Sequence, residues 1–270
     1  MNQVLDYYSG FDEWGRLDRE PLEFLINWHY IQTYLPSHGH VLDNGAGPGK
    51  YSMELAKRGY KVTLSDLTPK LVELAKEKAG ELNVTENFHG FHVRNATQLE
   101  GMPDEQFDAS LMMGPLYHLQ TEEERTSAVQ ELSRVTKAGG LVFVAFQSRT
   151  RMMITSLQYP KFWKPNDNLE AIKTFQETGV FNHQDKGRFT GAYYYEIADI
   201  KPFMEQNGFE TVDFIASSSM GGLLTADQKR YWEEQGDQKE LLGLLINMAK
   251  DPSILGISSH LLYIGRKKQK

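Results

Sequence analysis

One short stretch, residues 41–49, constrains the fold of this chain more than any other. It reads Val-Leu-Asp-Asn-Gly-Ala-Gly-Pro-Gly, so that apolar residues and an acid end a predicted strand, and Gly45, Gly47 and Gly49 lead into a predicted helix beginning near Lys50. Glycine permits positive φ and lets a ligand lie against bare backbone, while a helix N-terminus offers N–H groups to it. The stretch therefore predicts a ligand-binding turn between the first strand and helix of an α/β sheet.

This turn differs from the dinucleotide fingerprint in two ways. Counted from Gly45, the fingerprint Gly-x-Gly-x-x-Gly requires a third glycine at position 50, where this chain has Lys50. Asp43, just before the loop, would repel a pyrophosphate but attract an ammonium group. A zwitterionic ligand that carries positive charge fits the turn better, and a nicotinamide-dependent oxidoreductase stays open as the alternative from another enzyme class.

The pattern Asp-x-Gly-x-Gly-x-Gly after a strand resembles motif I of the class I S-adenosylmethionine-dependent methyltransferases, in their small-molecule branch of the type 11/25 kind. A second acid, Asp66, ends the next apolar run at 61–66, where members of the family bind both ribose hydroxyls. The order of elements continues to match over about 38–147. The resemblance implies a Rossmann-like, doubly wound, mostly parallel sheet of seven strands, with S-adenosylmethionine as cofactor and S-adenosylhomocysteine as product.

The resemblance also implies roles for single residues. Asp43 would accept the methionyl ammonium, Asp66 would hold the ribose, and Leu67 would pack on the adenine. Many members have an aspartate after strand three, where this chain has Asn95, whose carbonyl can also accept from the adenine amine. The predicted cofactor contacts are Asp43, Gly45, Ala46, Gly47, Gly49, Asp66, Leu67, Asn95, Ala96, Met113, Tyr8, Trp14 and Arg16.

The aromatic N-terminal segment, residues 7–16, has two interpretations. In one, similar to small-molecule members of the family, it folds over the cofactor, with Arg16 pairing with the methionyl carboxylate and Tyr8 or Trp14 shielding the sulfonium. In the other, the aromatic side chains only staple the segment to the first helix. The residues themselves leave both open.

The segment after the fourth predicted strand, residues 114–118, lies where this superfamily places residues beside the methyl acceptor. Enzymes of the superfamily that methylate base amines have Asn or Asp, Pro, Pro and an aromatic residue there, whereas this chain has Gly114 and Leu116 at the first and third positions. This argues against a base amine as acceptor. We predict Tyr117 and His118 as the catalytic pair, with His118 as a general base or as an acceptor-orienting residue; the alternative is a hydrogen-bonded structural histidine.

No metal site is predicted from the other histidines. His89 and His92 have a metal-like spacing, but residues three apart on a strand point to opposite faces. Cysteine is absent, which excludes disulfides and thiolate metal ligands.

Composition narrows the function classes further. The net charge of −7 argues against a nucleic-acid or an anionic membrane surface, and the longest apolar run, 141–146, is too short to span a bilayer. The N-terminus has no signal-peptide pattern, so a cytoplasmic location is expected. The expected partner is a small-molecule acceptor, and a monomer and a homodimer are both open.

The chain is expected to form a single methyltransferase domain over residues 1–270. We predict an N-terminal helical segment at 1–37, a cofactor-binding core at 38–147, and cap segments at 148–195 and 217–255 that select the acceptor. The first cap segment lacks clean periodicity but is rich in aromatic residues. A methyltransferase fold that binds the cofactor without catalysis, or that scaffolds a partner, is a further alternative.

Overall fold

A computed structural model describes residues 7–8, 10, 12–15, 21–184 and 191–269. Its strands are β1 (His40–Asn44), β2 (Lys61–Asp66), β3 (Phe88–Val93), β4 (Phe107–Met112), β5 (Thr136–Gln147), β6 (Val180–Phe181), β7 (Ala192–Tyr193), β8 (Phe209–Ala216) and β9 (His260–Lys267). Its helices are α1 (Pro21–Tyr34), α2 (Lys50–Lys57), α3 (Pro69–Glu81), α4 (Pro115–His118), α5 (Glu122–Val135), α6 (Arg149–Gln158), α7 (Leu169–Thr178), α8 (Ile197–Gln206), α9 (Ala226–Gln235), α10 (Gln238–Met248) and α11 (Pro252–Leu255).

Seven strands form one sheet in the order β3-β2-β1-β4-β5-β9-β8. The pairs from β3 to β5 are parallel, and β9 is antiparallel to both β5 and β8. The predicted mostly parallel, doubly wound sheet of seven strands is therefore confirmed. Strand β1 pairs with β2 on one side and β4 on the other, so the strand order reverses at β1, and ligands of such sheets bind at that switch point.

Both faces of the sheet are covered by helices, which is why its central strands are continuous apolar runs. Along β5, Phe143 packs on one face into a core shared with Ile26 of α1 and Leu55 of α2. Its neighbour Val144 packs on the other face, with Leu132 of α5. The two cores hold the sheet rigid beneath its carboxyl-end rim.

The segment expected to be irregular, 148–195, contains the helices α6 and α7 and the short antiparallel pair β6–β7. Both helices begin with capping side chains: Ser148 accepts from the Arg151 N–H and Asn168 from the Ala171 N–H. Such caps stabilise the first turns of short helices.

The two ends of this insertion meet at the rim of the sheet. The N–H of Tyr195 donates to the carbonyl of Gln147 over 2.8 Å, and the N–H of Arg149 donates to the carbonyl of Tyr195 over 2.9 Å. The chain therefore leaves β5 and returns at the same place.

The second cap segment contains two helices, α9 and α10. They are separate because Gly236 adopts a left-handed φ of 80° and ends α9. Across the ranges given above, no helix combines the length and the apolar character needed to cross a lipid bilayer.

Candidate active site

A cavity of about 410 Å³ lies along the carboxyl-end rim of the sheet. Its walls are the glycine loop after β1, the residues that follow β2, β3 and β4, and side chains from the N-terminal segment and α1. Twelve of the fifteen predicted site residues line it: Tyr8, Asp43, Gly45, Ala46, Gly47, Asp66, Leu67, Asn95, Ala96, Met113, Tyr117 and His118. Motifs that are distant in the sequence therefore line the same cavity.

The glycine loop has a steric reason at two of its positions. Gly45 has a φ of 72°, and a Cβ added there would overlap the ring of Pro115 in the loop after β4. Gly49 has a φ of 84° and caps α2, where an added Cβ would lie 2.8 Å from a methyl carbon of Leu64. Gly49 is not among the cavity-lining residues, so its place in the structure is to close the turn between strand and helix.

We expect Gly45→Ala to lower the free energy of unfolding by about 1–3 kcal/mol, because a strained left-handed φ is combined with overlap with Pro115. Gly59→Ala is the matched control, since Gly59 has a similar φ of 83° but no neighbouring atom within 4 Å. Urea denaturation of both variants separates the two costs. Equal destabilisation would show that Pro115 yields and that the overlap costs nothing.

Asp66 is held by the backbone of two neighbouring turns. Its Oδ2 accepts from the Gly47 N–H and its Oδ1 from the Thr68 N–H, each over 2.8 Å. Burial raises the pKa of this carboxyl, and the two backbone hydrogen bonds oppose the shift. Each carboxylate oxygen has a second lone pair, so the fixed carboxylate can still accept from a pair of ligand hydroxyls.

Asp43 presents a buried oxygen to the same cavity. The residue is 1% exposed, and its Oδ2 accepts from the Ser52 hydroxyl over 2.7 Å. Its Oδ1 is buried without a hydrogen-bond partner among the described residues. Burial raises the pKa of Asp43 to about 7, opposed by the bonds from Ser52. An unsatisfied buried acceptor is costly, and a cationic donor in the cavity would remove that cost.

Tyr8 and His118 meet across the cavity. The Tyr8 hydroxyl lies 3.0 Å from Nε2 of His118, which brings the N-terminal segment onto the loop after β4. Burial lowers the pKa of His118 to about 4, against an opposing hydrogen bond with the backbone of Gly191. A buried imidazole of this kind is neutral at neutral pH and is a weak base, which favours the acceptor-orienting or structural interpretation of His118.

Tyr117 lies between two imidazole rings. Its hydroxyl donates to the carbonyl of Met113 over 3.3 Å. Its ring centroid is 5.0 Å from that of His118 and 5.7 Å from that of His260. Tyr117 therefore links the predicted pair to a histidine from the last strand of the sheet.

The other two predicted N-terminal contacts fall elsewhere. Trp14 does not line the cavity; Lys50 Nζ at the start of α2 lies 4.4 Å and Lys78 Nζ in the last turn of α3 lies 5.3 Å from its ring centroid, so Trp14 packs against these two helices. Arg16 lies outside the described residues.

Several cavity residues were not predicted from the sequence. They are Glu13, Glu23, Pro48, Lys50, Tyr51, Thr68, Leu71, Arg94, Gly114, Pro115, Leu119, Gln120, Thr121, Glu124, Asn182 and Gly191. Most are immediate neighbours of predicted residues, so extending each motif by one or two positions would have found them. Glu23, Asn182 and Gly191 have no such signal, because the first comes from α1 and the other two from the insertion.

The prediction that His89 and His92 point to opposite faces is wrong. The pairing of β2 with β3 shifts register between Val62 and Thr63, and this bulge brings both histidines to one small cavity of about 220 Å³. Among the described residues, no group of three or more His, Cys, Asp or Glu side chains is arranged to hold a metal ion.

A family model described as a methyltransferase domain matches residues 41–140. That segment runs from β1 into β5 and contains the glycine loop, Asp66 and the loop after β4. Over this segment the chain resembles the S-adenosylmethionine-dependent methyltransferases of the type 11/25 kind, the family that the motif also resembles.

Known methyltransferases resemble this chain over sequence segments of different length. It is 30% identical over 152 residues to a ubiquinone biosynthesis O-methyltransferase of Xanthomonas oryzae pv. oryzae, a match that covers 54% of this chain and 61% of the relative. It is 26% identical over 224 residues to a magnesium-protoporphyrin O-methyltransferase of Synechocystis, covering 76% of this chain and 85% of the relative. The chain thus spans about three fifths of the first relative's length.

A solved methyltransferase structure shares the fold of this chain. The 1,6-didemethyltoxoflavin-N1-methyltransferase of Burkholderia thailandensis, solved with its 1,6-didemethyltoxoflavin and S-adenosylhomocysteine bound, superposes with a TM-score of 0.57 at 15% identity. The match covers 99% of this chain and 86% of that one.

Proposed function

We propose that this protein transfers the methyl group of S-adenosylmethionine to a small-molecule acceptor. The observation that carries the proposal is the buried Asp43, whose Oδ1 lacks a partner among the described residues and whose side chain lines the cavity beside the glycine loop. The two O-methyltransferases that the chain resembles are named for small-molecule pathways and products, which supports a small acceptor.

Each end of the cofactor has a fitting partner in the cavity. Asp43 would hold the methionyl ammonium, and Asp66, fixed by the N–H groups of Gly47 and Thr68, would accept from the ribose hydroxyls. Leu67 and Ala96 offer an apolar slot for the adenine, beside Asn95, whose Oδ1 also accepts from the Thr97 N–H over 3.1 Å. When bound, S-adenosylmethionine supplies a methyl group already activated by its sulfonium.

The protein's remaining task is to align the acceptor and to exclude water. Tyr8 and Tyr117 present rings and hydroxyls to the cavity. The hydrogen bond between Tyr8 and His118 draws the N-terminal segment over it. These contacts provide an enclosed space for the methyl group and its acceptor.

Calorimetry with three ligands tests this function. We expect wild-type protein to bind S-adenosylmethionine and S-adenosylhomocysteine and to bind nicotinamide dinucleotides negligibly, since Asp43 repels a pyrophosphate. Incubation with tritiated-methyl S-adenosylmethionine and simple phenols and amines then separates catalysis from cofactor binding alone. Dinucleotide binding with no response to S-adenosylhomocysteine would overturn the proposal.

We expect deletion of residues 1–16 to weaken binding of S-adenosylhomocysteine more than it lowers the melting temperature of the ligand-free protein. The reason is that Tyr8 and Glu13 line the cavity, so that ligand binding offsets the entropy lost in ordering the segment. Hydrogen exchange should also slow in 7–15 and in the two cap segments when ligand is added.

The control for this deletion is Tyr8→Phe, which removes only the hydroxyl that contacts His118. Its effect on affinity should lie between those of the wild type and the deletion. Unchanged hydrogen exchange on adding ligand, together with full affinity of the truncated protein for S-adenosylhomocysteine, would show that the N-terminal segment plays no part in ligand binding.

A further inference from the structure

One wall of the cavity carries a carboxylate that belongs to no predicted motif. Glu23 lies in the first turn of α1, lines the cavity, and has a side chain only 16% exposed. Its Oε2 lies 3.2 Å from Nδ1 of His260, the first residue of β9. On the other side of that ring, Nε2 lies 3.2 Å from Nε2 of Gln147, the last residue of β5. Glu23 is thereby fixed to the β5–β9 end of the rim.

Strand order separates this carboxylate from the nucleoside end of the cavity. Asp66 and Asn95 follow β2 and β3, on one side of β1, whereas Gln147 and His260 belong to β5 and β9, beyond β4 on the other side. Neighbouring strands lie about 4.8 Å apart, so β2 and β5, three positions apart in the sheet, are separated by roughly 14 Å. With the ribose on Asp66 and the ammonium on Asp43 at β1, Glu23 lies at the end left for the acceptor.

The geometry points to Glu23 as the residue that accepts a hydrogen bond from the nucleophilic hydroxyl or amine of the methyl acceptor, and to His260 as the residue that positions the Glu23 carboxylate. This inference rests on the proposed function and narrows its substrate class to compounds with an O–H or N–H nucleophile. A carboxylate is purely an acceptor and offers about four lone-pair sites, so its contact with His260 is compatible with a second one from the acceptor.

In the reaction at this site, Glu23 accepts the proton that the methyl acceptor loses. A bond forms between the acceptor's oxygen or nitrogen and the methyl carbon while the carbon–sulfur bond breaks, and the electron pair of that bond stays on sulfur. The proton of the O–H or N–H group moves to the Glu23 carboxylate. A thiolate acceptor has no proton to lose and would gain nothing from the carboxylate.

His118 is placed less well for this task. Its Nε2 lies 3.0 Å from the Tyr8 hydroxyl, and burial lowers the pKa of its ring to about 4. Glu23, by contrast, contacts His260, which is itself held by Gln147. The two predicted catalytic residues then form the aromatic wall beside the acceptor, and Tyr117 packs between His118 and His260.

Relative affinity for the two forms of the cofactor tests the position of Glu23 without a known acceptor. S-adenosylmethionine carries a positive sulfur and S-adenosylhomocysteine a neutral one, so a carboxylate facing the methyl group favours the former. We expect Glu23→Gln to lower the ratio of the two affinities at least threefold while affinity for S-adenosylhomocysteine changes less than twofold. His260→Gln, which keeps the carboxylate, should lower the ratio less.

The control is Glu123→Gln, which makes the same charge change in an exposed first turn of α5 outside the cavity and should leave the ratio unchanged. If Glu23→Gln does not fold, Glu23→Asp replaces it, because the shorter side chain withdraws the charge and should lower the ratio in the same direction. An unchanged ratio in a folded Glu23 variant overturns the inference and leaves the proposed function intact, whereas a wild type that binds neither ligand overturns the proposed function.

Methyl transfer to catechol, benzylamine and benzyl mercaptan provides a second arm of the test. Product from catechol or benzylamine, with kcat at least 100-fold lower in Glu23→Gln, supports the inference. Methylation of the mercaptan alone, at equal rates in both proteins, overturns it.

Discussion

Replacing Asp66 by alanine should weaken binding of S-adenosylhomocysteine by about 1–3 kcal/mol, the scale for hydrogen bonds that involve a charged partner. The expected loss has two sources. The ribose hydroxyls lose their acceptor, and the N–H groups of Gly47 and Thr68 lose the carboxylate that fixes the two turns. Isothermal titration calorimetry measures the change directly.

Two further variants make the result for Asp66 specific. Asp66→Asn keeps one acceptor oxygen and should weaken binding less than Asp66→Ala. Asp199→Ala removes an exposed carboxylate from the first turn of α8, outside the cavity, and should leave affinity unchanged. An unaltered dissociation constant in a folded Asp66→Ala protein would remove Asp66 from the ribose site.

Affinity for S-adenosylhomocysteine should rise about tenfold between pH 6 and pH 8 because of Asp43. Burial raises the pKa of this carboxyl to about 7, so the ligand-free protein holds Asp43 mostly protonated at pH 6 and mostly ionised at pH 8. A ligand ammonium binds the ionised form, and below the pKa each pH unit lowers affinity by up to about tenfold. Above the pKa the affinity should reach a plateau.

Asp43→Asn should abolish this pH dependence and bind about 1.5–3 kcal/mol more weakly than wild type at pH 8. His118 does not confuse the measurement, because its pKa of about 4 places its titration below the range used. Equal wild-type affinity at pH 6 and pH 8 would show that Asp43 does not meet the ammonium.

The parts of the fold with a strong local signal were predictable from sequence. The order of strands and helices over 38–147 follows from glycine turns, capping residues and apolar runs, each of which acts within a few residues. The glycine loop, Asp43 and Asp66 share a cavity because parallel strands bring their carboxyl ends to one rim, so periodicity alone placed them together.

The parts that depend on contacts distant in sequence were not predictable. Glu23 faces His260 across 237 positions of the chain, and neither residue lies in a recognisable pattern. The bulge between β2 and β3 brings His89 and His92, which were expected on opposite faces, to one cavity, because an extra residue in a strand changes the face of the residues that follow it.

The closure of the insertion at Gln147, Arg149 and Tyr195 has a consequence for how such a protein changes over generations. An insertion that leaves the sheet and returns to it through the same hydrogen-bonded residues can change in length or be replaced without shifting the register of any strand. The family match ends at residue 140, just before this point. Mutations that alter the insertion are therefore insulated from the segment that carries the shared motif, so the insertion can change in sequence while that segment stays intact.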